Sequence, residues 1–249
     1  MMKVEGPYDL SLPVETGLGR AWYIPGMERH PVQLGSWIGS VAEGGVVNFM
    51  TLHMNPHAHG SHTETLGHIC TGEHGVHKVE MPWIQSALVV SIAPKDEGTH
   101  GLVISWEALS TAINHLGGWQ GATALIVRTL PNDASKRTRN YSQTDAPYFS
   151  PEVGSALADA GILHWLVDLP SVDREEDGGA LACHRTFWCV DPGQTIAGPR
   201  ARTQATISEL IYVPSEVSDG LWKMQLFVAP IASDAAPCRP LLLRFDHEG

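Results

Sequence analysis

The chain has 249 residues, 43% of them hydrophobic and 17% charged, which is ordinary for a soluble protein and enough to bury a sizeable core. A formal charge of -11 argues against nucleic acid as a partner, because phosphates would be repelled. No segment is apolar for the ~20 residues a membrane span needs, and the opening MMKVEGPYDLSLP lacks the apolar core of a signal peptide. The expected location is therefore the cytosol.

Residues 45–54 (GVVNFMTLHM) follow a Gly-Gly turn and alternate roughly apolar and polar, which predicts a strand leading into the segment that follows. Residues 87–93 (ALVVSIA) read as a buried strand. Residues 105–116 (SWEALSTAINHL) read as a helix capped by Ser105, with Ala108, Leu109, Ala112, Ile113 and Leu116 on one face. Residues 122–130 are strand-like again. Ser150-Pro151-Glu152 starts a second helix, combining a capping hydroxyl, a first-turn proline and a carboxylate near the positive end. That helix should end near Gly161, and residues 164–169, 205–213 and 221–231 add further strands. The pattern predicts an α/β fold in a single domain over residues 1–249, with a mixed β-sheet and flanking helices. Cys70, Cys183, Cys189 and Cys238 are scattered without a CxxC pair and read as small buried hydrophobes.

The stretch NPHAHGSHTETLGHI (55–69) stands apart. Four histidines and a glutamate fall within fourteen residues, and neither helix nor strand requires such a composition. Neutral imidazoles and carboxylates are the ligands that zinc, manganese and iron prefer. His62 and Glu64 are two residues apart, so on a strand both point to one face and can hold one ion. His57-x-His59 followed by Glu64 also mimics the first ligand motif of the cupins, which often carry an oxygenase iron. The second motif of that family is not found, and two good helices suit a cupin poorly.

The chain more closely resembles the Putative cyclase family, which includes bacterial kynurenine formamidases and isatin hydrolases and has the signature HxGTHxDxPxH. Gly60-Ser61-His62-Thr63-Glu64 and the following His68 match its second half in register. Asp9-Leu10-Ser11 resembles its N-terminal DLS, Pro170-Ser171-Val172-Asp173 its mid-chain PSxD, and residues 205–210 (ATISEL) a later strand carrying a ligand glutamate. Three positions depart from the pattern. Ala58 stands where the first histidine belongs, Glu64 replaces the aspartate, and Thr65-Leu66-Gly67 replaces the proline region.

The resemblance implies the swivelling β/α-like fold of that family and a divalent metal, Zn or Mn, as one or two ions. It assigns His57, His62 and Glu64 to a first ion and Glu64, His184 and Glu209 to a second, with His68 beside them as the acid/base. One extra residue before Gly60 would return His57 to the ion and leave His59 lining the pocket. The implied activity is hydrolysis of an amide, lactam, lactone or ester of a small substrate. Trp22, Tyr23, Trp37, Phe187 and Trp188 are candidates for walls of an aromatic pocket or for plain packing. A homodimer or homotetramer is expected, again from the resemblance. Two other function classes remain beside the hydrolase: a cupin-type oxygenase and a non-catalytic metal- or ligand-binding protein. An extra imidazole at His68 favours catalysis, since a purely structural metal site has no use for it.

Overall fold

Three apolar runs without polar alternation become the centre of the sheet, because their strands are buried on both faces. The computed structural model describes residues 2–247. Eight strands form its main sheet: β1 (Met2–Asp9), β2 (His62–Glu64), β3 (Gln85–Ile92), β4 (Ala124–Thr129), β5 (His164–Val167), β6 (Thr206–Glu209), β7 (Gly220–Val228) and β8 (Ala235–His247). Their order is β1-β8-β7-β3-β4-β5-β6-β2, and β2 pairs again with β8, so seven strands close into a ring with β1 attached outside. The strands β3 to β6 run parallel, and the remaining pairings are antiparallel.

Alternate residues of the central strands feed two cores. Ala87, Val89, Ala124, Ile126 and Leu166 pack with Trp222 and Met224 inside the ring. Leu88, Val90, Leu125, Val127, Trp165 and Val167 face the other way and are covered by helices. The helices are α1 (Pro56–His59), α2 (Trp106–His115), α3 (Pro151–Asp159) and α4 (Ala182–Trp188). Leu109 and Ile113 of α2, Val153 and Leu157 of α3, and Phe187 and Trp188 of α4 complete this outer core. The four cysteines are free, and three of them are buried.

The Ser105 side chain caps α2 by accepting from the Ala108 amide, as the sequence predicts. Ser150 behaves differently. Its hydroxyl makes no capping bond, and its backbone N–H instead ties the start of α3 to the Ile104 carbonyl. Between α3 and α4 the backbones nearly touch. A Cβ on Gly154 would lie 2.4 Å from Thr186 Oγ1 and 2.5 Å from the Cys183 carbonyl oxygen, so only glycine permits this approach.

The expected strand over residues 45–54 shrinks to Met50–His53, which pairs with Glu28–Pro31 apart from the main sheet. Its alternation misled because no core lies beneath it: Val46, Val47, Phe49 and Leu52 are all exposed. Strands β1 and β8 and helix α4 were not legible. Prolines 237 and 240 lie within β8, and proline within a run argues against a strand.

Candidate metal centre

Helix α1 is a single turn begun by Asn55, whose side chain accepts from the His57 amide, with Pro56 in the first position. Residues two apart on a helix point to different sides. His57 and His59 therefore diverge. His59 is 2% exposed and spends both ring nitrogens on the backbone, Nδ1 accepting from Asn55 N at 2.9 Å and Nε2 donating to the Pro25 carbonyl at 2.8 Å. His57 turns toward Glu64, with Nδ1 3.2 Å from Oε2. Gly60 is extended (φ -170°) and makes no sharp turn. Its lack of a side chain is needed for space, since a Cβ would lie 2.8 Å from the Leu12 carbonyl oxygen.

Strand β2 then presents His62 and Glu64 on one face while Thr63 bonds Ser208 Oγ at 2.7 Å on the other. His62 lies opposite Glu209 in the antiparallel register of β2 and β6. That pairing sets His62 Nε2 3.4 Å from Glu209 Oε2. Helix α4 brings His184, whose Nε2 is 2.9 Å from Glu64 Oε1 and 3.7 Å from Glu209 Oε1. The short helix after Thr65 (Leu66–His68) returns His68, with Nδ1 3.7 Å from Glu64 Oε2.

The structure thus brings His57, His62, Glu64, His68, His184 and Glu209 together. Two triads share Glu64: His57, Glu64 and His68, and His62, Glu64 and Glu209, with donor atoms inside each within 4.8 Å of one another. This grouping differs from the one the resemblance implies, because His57 stacks beside His68 (4.5 Å between ring centroids) while strand pairing carries His62 across to Glu209.

The donor set fits a divalent ion. His62 Nε2 and Glu64 Oε2 are fully buried and lack a hydrogen-bond partner, a costly condition unless something else occupies those lone pairs. Both inner histidines are held in the tautomer a metal needs. His62 Nδ1 donates to the Gly60 carbonyl at 3.1 Å and His184 Nδ1 to Asp173 at 2.6 Å, which leaves each Nε2 facing inward. Asp173 also accepts from the backbone amides of Cys183 and His184, so the PSxD aspartate anchors the first turn of α4.

Charge balance agrees. Burial disfavours ionised Glu64, yet the imidazoles of His68 and His184 hold its pKa well below the usual carboxylate range. For His57, burial works against the cation, but the hydrogen bond to Asp234 and the nearby Glu64 carboxylate raise its pKa to about 10. His184 is raised likewise against its burial, first by the Glu64 charge. An incoming cation must therefore displace protons from these imidazoles.

Asp234 was missed by sequence reasoning. Its Oδ2 lies 2.9 Å from His57 Nε2 and 3.5 Å from His68 Nδ1. It sits far along the chain in ASDAAP, where no spacing links it to the histidines. The aromatic candidates scatter. Phe187 and Trp188 are core, Trp188 lying 5.6 Å from the His184 ring, Trp22 donates to the His57 carbonyl, and Tyr23 is exposed.

The Putative cyclase family model matches residues 8–174, and the chain belongs to that family. The match takes in the histidine cluster and Asp173 but ends before His184, Glu209 and Asp234. A solved structure described as a potential metal-dependent hydrolase with cyclase activity is 17% identical, with a TM-score of 0.64 over 98% of this chain and 100% of that one. A predicted metal-dependent hydrolase from Bacillus stearothermophilus is 18% identical, with a TM-score of 0.62 over 98% of both chains. Isatin hydrolase A from Labrenzia aggregata, bound to benzyl benzoate, is 11% identical, with a TM-score of 0.65 over 97% of this chain and 93% of that one. At these identities the likeness is one of fold. No curated protein matches the chain by sequence.

Proposed function

We propose that the protein is a metal-dependent hydrolase that cleaves an amide, lactam, lactone or ester bond of a small substrate. The observation that carries this reading is the pair of triads meeting at Glu64 with His62 Nε2 and Glu64 Oε2 buried and unpartnered. His57, His62, Glu64, His184 and Glu209 would hold one or two ions, zinc or manganese. Such an ion supplies Lewis acidity, bringing the pKa of water from 15.7 toward ~7 and polarising an acyl carbonyl.

The chain's own groups do the rest. Asp173 and the Gly60 carbonyl fix the tautomers of His184 and His62. Glu209 is steadied by the Val172 amide, which donates to its Oε1 at 3.0 Å. His68 is the most open of the clustered imidazoles, with its side chain 30% exposed, and its Nδ1 stands 3.5 Å from Asp234. That position suits a group that hands a proton to the leaving amine or alcohol.

The test is a hydrolysis screen of formamides, lactams, lactones and esters with metal-reconstituted protein, run beside His68→Ala. We expect turnover by the wild type, and for His68→Ala retained metal with a loss of roughly 10²–10⁴-fold. Metal lost together with activity would make His68 a ligand. Bound metal without turnover across the screen would favour a non-catalytic binding protein.

A further inference from the structure

Asp234 faces two ways. Its carboxylate meets His57 and His68 at the donor cluster, and it also lines an open cavity of about 560 Å³. One wall is the loop that follows His68, which contributes Gly72, His74, Gly75 and His77. The other is the turn before β8, which contributes Ala232 and Ser233. The two loops meet through backbone. A Cβ on Gly75 would lie 2.7 Å from His77 Nδ1 and 3.0 Å from the Ser233 carbonyl oxygen, and one on Gly67 3.0 Å from the His74 carbonyl oxygen.

Among the described residues that line this space, none is Val, Leu, Ile, Met, Phe, Tyr or Trp. Small-molecule sites are ordinarily walled by apolar and aromatic side chains. Here the Lys78 ammonium is paired with Glu73, and Ser233 Oγ donates to Asp234 Oδ1 at 2.9 Å. Beside that exposed ion pair the lining offers the His74 and His77 imidazoles, the Ser233 hydroxyl and the Asp234 carboxylate. Such a mixture of donors and acceptors is met by hydroxyl groups, which offer both.

Resting on the hydrolase reading, we infer that this cavity receives the non-reacting part of the substrate, and that the substrate is a hydroxylated lactone rather than an aromatic lactam. His74 and His77 are then specificity-determining residues that hydrogen-bond its hydroxyls. In the reaction water adds across the acyl C–O bond. Its oxygen stays on the carbonyl carbon, and the ring oxygen leaves as a hydroxyl carrying a proton, giving a hydroxy acid. A site that hydrogen-bonds a substrate hydroxyl discriminates against the analogue that lacks it.

The experiment compares a dihydroxylated γ-lactone, the unsubstituted γ-lactone and isatin with manganese-loaded protein, each rate divided by its spontaneous hydrolysis. We expect kcat/KM roughly 10–100-fold higher for the dihydroxylated ring. His74→Ala and His77→Ala should collapse that ratio by raising KM for the dihydroxylated substrate while metal content stays at the wild-type level. Equal kcat/KM for the two lactones, a preference for isatin, or a ratio untouched by both substitutions would overturn the inference. If the loaded protein turns over none of the three, the formamide and ester arms of the hydrolysis screen decide the hydrolase reading and binding decides the cavity. Saturable shifts of the His74 and His77 imidazole resonances with the dihydroxylated lactone alone support it, and shifts with none or with all three overturn it.

Discussion

Two histidines of one helical turn have opposite duties. His57 faces Glu64 and Asp234, whereas His59 is buried with both nitrogens bonded to backbone. Metal titration should therefore show His57→Ala weakening affinity beyond the ~10–100-fold that loss of an orienting neighbour costs. His59→Ala should keep its metal but lose roughly 2–3 kcal/mol of stability in urea, through two unpaired backbone groups and a cavity. The reverse outcome would place the ion elsewhere. The sequence made the cluster legible because five donor groups within fourteen residues have no structural motive. It left open which of the two histidines turns inward, because that depends on one short helix.

His164 carries a prediction of a different kind. It is buried on β5, bonded to Thr206 Oγ1 at 2.9 Å, and burial followed by the Arg202 charge lowers its pKa to about 4. Between pH 4 and 6.5 the unfolded chain binds a proton that the folded protein refuses, so stability rises with pH across that window. The contribution is whole above pH 6.5 and is lost as pH falls toward 4, amounting to about 3 kcal/mol. Urea unfolding at pH 4.5 and 7.5 should show a smaller difference for His164→Gln than for the wild type. Equal differences would mean that the imidazole charges within the fold.

At the scale of elements, the contact between α3 and α4 connects packing to the site. Gly154 lets α4 approach, and α4 holds His184 over Glu64. Gly154→Ala gains about 1 kcal/mol of helix propensity but inserts a methyl where no space exists, which costs typically ~1–3 kcal/mol. We expect a net loss of stability together with weaker metal binding, because the helix must shift outward. Unchanged affinity alongside lost stability would show that His184 moves independently of the interface. The two longer helices and the central strands were readable from their periodicity. Helix α4 was not, being seven residues long and flanked by two residues in left-handed conformation, Leu181 and Cys189. Its position rests on Asp173 and on the α3 contact, neither of which has a local pattern.

At the scale of the whole molecule, one part of the chain forms an excursion that the main sheet does not absorb. Residues 28–53 include two small antiparallel ribbons whose strands pair only among themselves, and Val46 is 84% exposed with Leu34, Phe49 and Leu52 also open. We propose that a second copy of the chain covers this surface, in line with the homodimer or homotetramer that the family resemblance implies. Light scattering at micromolar concentration should give two or four times 27.0 kDa, and a value near 27.0 kDa would refute it. No helix among the described residues is long and apolar enough to cross a membrane. The closed ring itself was not legible, because ring closure depends on the three-residue strand β2 and on a β8 punctuated by prolines.

That closure gives the ion a mechanical part. Among the described residues strand β2 alone links β6 to β8 in the ring, and its two inward groups, His62 and Glu64, are completely buried. Without a cation, polar lone pairs lie in a seam whose hydrogen-bonded ladders are only three residue pairs long on either side, so this seam should part at lower free energy than the core strands. A bound ion favours the closed form by mass action and fastens it, as a clasp fastens a bracelet. Amide hydrogens at Thr63, Ser208 and Ala236 would then exchange more slowly once metal is loaded, while those of Leu125 and Val127 in the opposite wall keep their rates.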